Sequence, residues 1–119
     1  MEKFSVSLPL AGEYLTTVRL TTGGLCALAG FDVDATEDFK VCVTESLLIL
    51  KRNGFSTANI LFTVGEALGC VVEGCGNPSK KEEGLEDEIS RALLSALLGT
   101  VDFVKDAAGT RVEKIVFEG

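Results

Sequence analysis

Histidine is absent from the 119 residues, proline occurs only twice, and basic residues are scarce: 11 Lys and Arg stand against 18 Asp and Glu, a net charge of −7. Each shortage removes a class of function. Without histidine, and with cysteines at positions 26, 42, 70 and 75 that form no C-x-x-C pair, zinc-ligand spacing is missing and no metal is expected. Cys26 and Cys42 fall in helical patterns and read as small buried hydrophobes, whereas Cys75 lies in a glycine-rich segment and should react fastest. The excess of acid opposes binding to nucleic acid or to an anionic membrane surface. Apolar runs such as Leu47–Leu50 are far too short to span a bilayer, and "MEKFSVSLPL" lacks the apolar core and cleavage site of a signal peptide. A soluble, cytoplasmic protein is expected. Low proline with 46% apolar residues places the chain among folded globular proteins, and its length suits one domain over residues 1–119.

Hydrophobic periodicity supplies the elements. Phe4, Val6 and Leu8 alternate with polar residues and predict a strand over 3–8, ended by Pro9. Tyr14, Leu15, Val18, Leu25 and Leu28 predict a helix between Gly12 and Ala29, with a bend near the Gly23-Gly24 pair. In the next helix Phe39, Val43, Leu47 and Leu50 recur at helical spacing, Asp34 is the expected N-cap with Glu37 three residues on, and Gly54 closes the run. Ile60–Val64 and Leu68–Val72 around Gly65 read as a hairpin. A polar loop then leads to a helix over Leu85–Leu98, with Ile89, Leu93, Leu94 and Leu97 expected on its buried face. "VDFV" and "RVEKIVF" make two more strands turned at Ala107–Gly109. The order β-α-α-β-β-α-β-β predicts an α+β two-layer sandwich, a mixed or antiparallel sheet with about three helices on one face.

The stretch "LPLAGEYLTTVRLTTGGLCALAGFDVDATEDFKVCVTES" resembles the N-terminal half of the anti-sigma-factor serine kinases, small members of the GHKL ATPase superfamily. The closing "VDFVKDAAGTRVEKIVF" is similar to that family's last hairpin, with Gly109 and Thr110 at the turn. In the family, a helix carries a glutamate base and, four residues on, an asparagine that ligates Mg²⁺. Glu45 matches the glutamate, but Ile49 stands at the asparagine's place and offers no oxygen to a hard cation. Asn53 lies a further turn along, too far to substitute. A second motif ends a strand in an aspartate that anchors adenine. In "VVEGCGN" that place falls on Gly74, with Gly76 retained and Glu73 one residue early, turned to the opposite face. The third motif is a glycine-rich phosphate loop, and here Arg91 and Leu93 replace the glycines.

These departures imply a non-catalytic regulatory domain resembling an anti-sigma factor, with no cofactor, in which Glu45 is a remnant of the catalytic base. The resemblance implies a protein partner such as a sigma factor or an antagonist protein, a homodimer, and a contact surface that includes Arg19. Arg19 reads equally as an ordinary exposed helical arginine. The acidic run Glu82–Glu88 reads as a solvated loop or as a patch for a basic partner. Two alternatives stay open: an ATP- and Mg-dependent serine/threonine kinase working through Glu45, and a small-ligand module in a vacated nucleotide cleft lined by Ile49 and Leu93.

Overall fold

A computed structural model describes residues 2–82 and 84–119. Five strands, β1 Glu2–Pro9, β2 Thr57–Val64, β3 Leu68–Cys75, β4 Val101–Lys105 and β5 Val112–Glu118, form one sheet in the order β1-β2-β3-β5-β4. Every pairing is antiparallel, with a bulge between Val104 and Lys105. The helices are α1 Leu15–Leu28, introduced by a 3-10 turn at Gly12–Tyr14, α2 Val33–Arg52 and α3 Leu85–Leu97. The expected α+β architecture is therefore observed, with a fully antiparallel sheet. Among the described residues no helix is long and apolar enough to cross a membrane.

Strand alternation sends Leu8, Ile60, Phe62, Cys70, Val72, Ile115 and Phe117 into the core. The central helix meets them there: α2 packs against α1 and α3 as well as β3 and β5, and buries Phe39, Val43, Leu47, Ile49 and Leu50. Burial of each such side chain stabilises the fold by about 1.5–3 kcal/mol.

Two local expectations, the cap of α2 and the buried face of α3, are corrected. The N-cap of α2 is Asp32, not Asp34: Asp32 is extended, and its carboxylate accepts a 2.8 Å hydrogen bond from the Ala35 amide. Asp34 lies in the first turn, and Glu37 pairs with Lys40 at 3.3 Å instead of closing a capping box. Helix α1 continues through Gly23, whose missing side chain admits Lys40 of α2: a Cβ there would lie 2.9 Å from Lys40 Cε. Finally, Ile89 is 65% exposed, and α3 turns Ser90 and Leu94 inward. Leu93 is half-buried, and Leu98 is buried just beyond the helix. Polar partners on α2 decide this phase.

Candidate functional site

Glu45, Ile49, Arg52 and Asn53 succeed one another along α2 at offsets of four, three and one, so they line the half of the helix toward its C-terminal end. Opposite them, α3 supplies Asp87, Ser90 and Arg91. The Ser90 hydroxyl donates to Glu45 Oε2 at 2.7 Å, and the Arg52 guanidinium donates to the same serine oxygen. Arg52 Nε lies 3.9 Å from Asp87 Oδ1, while Arg91 Nε bonds Asp87 Oδ2 at 3.2 Å. Arg91 also lies over the Phe103 ring, 5.2 Å from its centroid. Two carboxylates and two guanidiniums thus balance around one buried serine. The balance is incomplete at one point, since among the described residues neither Arg52 Nε nor Asp87 Oδ1 has a hydrogen-bond partner.

Ile49 is 0% exposed and belongs to the hydrophobic core. Asn53, also 0% exposed, is consumed by structure: its Nδ2 donates to the Ile49 carbonyl at 2.8 Å and its Oδ1 accepts from the Val112 amide at 3.0 Å. Its side chain locks β5 to the end of α2. At the end of β3, Gly74 faces the Phe55 ring so closely that a Cβ would stand 2.5 Å from Phe55 Cγ. Glu73 points to the other side of the sheet, as its strand position predicts, and pairs with Lys114 at 3.6 Å.

The loop after Gly76 is fastened across the end of α2. Ser79 donates to the Gly54 carbonyl through its amide at 2.9 Å and its hydroxyl at 3.1 Å, and the Glu82 amide donates to the Arg52 carbonyl at 2.7 Å. Arg111 Nη1 bridges the carbonyls of Asn53 and Ser79 at 2.6 and 2.8 Å. Gly54, at φ +95°, has no room for a side chain because Ser79's carbonyl oxygen sits where its Cβ would be. Beside this loop lies an open cleft of 810 Å³ lined by Arg52, Lys80, Lys81, Glu82, Gly84 and Glu86. Its lining is charged. Ile49, wholly buried, lines no open cleft, which corrects the expectation for that residue. Of the acidic run, Glu83 lies outside the described residues.

Arg19 is exposed on α1, away from this network, and its Nε donates to Thr44 Oγ1 on α2 at 3.3 Å. The cysteines are free: Cys26, Cys42 and Cys70 are buried and Cys75 is half-buried. Burial first, then the Asp38 and Glu45 carboxylates, pushes the Cys42 thiol up to about 12, and burial raises Cys26 and Cys70 as well. Among the described residues no group of three or more acidic or cysteine side chains could hold a metal ion.

Sequence reading placed Glu45 and Ile49 but missed Ser90, Arg52 and Asp87. The only signals for them are the seven-residue offset of Arg52 from Glu45 and the four-residue offset of Arg91 from Asp87, each of which puts a pair on one helix face.

No family model matches the chain. It is 33% identical over 54 residues to the serine-protein kinase RsbW of Listeria monocytogenes serotype 4a, a stretch covering 45% of this chain and 34% of the relative. The same coverage at 33% and 30% identity relates it to the proteins of that name from Listeria innocua and Bacillus cereus. The matched stretch thus spans 34% of the length of these curated relatives. The chain is similar, over part of its length, to RsbW serine-protein kinases.

Proposed function

We propose that this chain is a regulatory protein-binding domain of the anti-sigma-factor type that has given up phosphoryl transfer. One observation carries the reading: Ile49, at the place of the Mg²⁺ ligand, is a wholly buried member of the core rather than a side chain facing a cleft. Glu45 and Gly74 support it. The carboxylate that would draw a proton from an incoming hydroxyl already accepts a hydrogen bond from the Ser90 hydroxyl of its own chain. The strand end that would present an adenine acceptor is covered by Phe55. Mg-nucleotide does not fit these residues, and no step of chemistry is derived through it.

Function then rests on surfaces. The likeness to RsbW kinases supports a protein partner. That this partner is a sigma factor or an antagonist protein, that Arg19 lies on the contact face and that a second copy of the chain joins the assembly are parts of the proposal. An arginine held at its Nε by Thr44 still presents its terminal nitrogens to a partner carboxylate. Arg19→Ala should weaken such a complex by about 2 kcal/mol, roughly thirtyfold, without lowering the melting temperature.

The test is a thermal shift with Mg-ATP. A ligand at a hundred times its dissociation constant adds about 2.7 kcal/mol of stability, so a binder would be visible and none is expected. The retained Glu45 and the RsbW similarity favour the kinase as second reading. A stabilising shift, together with phosphate transfer to an antagonist protein that Glu45→Ala abolishes, would establish it instead.

A further inference from the structure

Helix α3 is apolar on two opposite sides. Leu94 points into the core, yet Leu85 and Ile89 are 71% and 65% exposed, and Ala92 and Ala96 are exposed in line with them. At about 100° per residue these four positions make one narrow stripe diametrically opposite Leu94. Glu86, which also borders the cleft with Arg52, Lys80 and Lys81, flanks the stripe on one side and Glu88 on the other. Both are exposed, and among the described residues neither has an ion-pair partner. The helix's own cation, Arg91, is turned onto Asp87 and Phe103.

Acidic residues in a first turn stabilise the helix through its dipole, which accounts for Glu86 and Glu88 as far as the helix is concerned. It does not account for two large aliphatic side chains held in water beside them. We propose that the outer face of α3 docks a basic amphipathic helix from a partner protein. Leu85 and Ile89 would anchor in the partner's apolar face, Ala92 and Ala96 would let its backbone approach, and Glu86 and Glu88 would pair with lysine or arginine on either flank. The charges select the occupant: an acidic helix, or a second copy presenting the same carboxylates, is repelled. This surface is separate from Arg19, and the inference stands whichever way the Arg19 variant behaves.

The experiment uses the full chain, isotopically labelled, titrated with two synthetic helical peptides that share one leucine pattern and carry either lysine or glutamate at the polar positions. Amide shifts confined to α3 and centred on Leu85, Ile89, Ala92 and Ala96 are expected with the lysine peptide alone. The L85S/I89S double variant, altered outside the core, should melt as the parent does and lose affinity by roughly tenfold. E86Q/E88Q should flatten the salt dependence of binding. Equal binding of the glutamate peptide, shifts centred elsewhere, or undiminished binding by L85S/I89S overturns the proposal. So does sedimentation showing a dimer that L85S/I89S dissolves, because the stripe would then belong to a second copy.

Discussion

The Ser90 hydroxyl and the Glu45 carboxylate are joined by a 2.7 Å hydrogen bond across the α2–α3 interface. The bond places a serine of the chain itself against the residue that matches a kinase's base. It ties the two helices together, with Arg52 anchoring the serine from the other side. Ser90→Ala leaves a carboxylate oxygen and a guanidinium without this partner, so it should cost about 1–3 kcal/mol of stability in urea denaturation. A variant as stable as the parent would show that the tie contributes nothing.

Asn53 is the most demanding polar residue. Asn53→Ala takes the side-chain acceptor from the Val112 amide inside the core, while the Ile49 carbonyl keeps the backbone amide of residue 53, and should cost roughly 1–3 kcal/mol. Hydrogen exchange should locate the loosening at the start of β5 and the last turn of α2. Uniform protection in the variant would contradict the assignment.

An aspartate at position 74, where the resembling kinases carry one, separates a steric from a chemical obstacle. Gly74→Asp drives a side chain into the Phe55 ring and should destabilise by about 1–3 kcal/mol, with no gain of ATP affinity by calorimetry. Adding Ile49→Asn places a carboxamide among hydrocarbon and should lower stability further. A double variant that binds Mg-ATP would reverse the reading of both positions.

The buried thiols set an alkaline limit. Their folded-state values are raised, so the folded protein keeps these protons after the unfolded chain has begun to release them. Their contribution is complete below the ordinary thiol value of 9.0 and is lost as pH rises from there toward about 12, the value for Cys42. Urea midpoints compared at about pH 8 and about pH 10.5 should therefore fall with pH, and Cys42→Ala should lessen the fall. With thiol reagents in the native state, Cys75 should react first, the buried three slowly.

The framework was legible because its signals are local. The alternation around Phe4, Val6 and Leu8 and the long helical run from Phe39 to Leu50 each point to one element. Asp32 and Asp34 are chemically equal as caps, and only the extended backbone at Asp32 separates them. The face of α3 was misjudged for a related reason: leucine and isoleucine surround this helix, so periodicity alone cannot fix its rotation. Ser90 and Asp87 fix it by reaching Glu45 and Arg52, across a distance in sequence that no spacing rule covers. Ile49 was legible as a departure from a motif, but its place in the core is a tertiary fact.

The register of the first strand has a kinetic consequence. β2–β3 and β4–β5 are closed by short turns, whereas β1 pairs with β2 only after the whole of α1 and α2 has been spanned. Closing that long loop, like the one between β3 and β5, loses chain entropy before any ladder hydrogen bond returns it, so β1 docks slowly beside the closing of the two hairpins. Until it does, Ile60 and Phe62 lie on an edge strand of an unfinished sheet. During that interval β2 offers an unpaired edge to another strand, the kind of exposure that lowers yield on refolding.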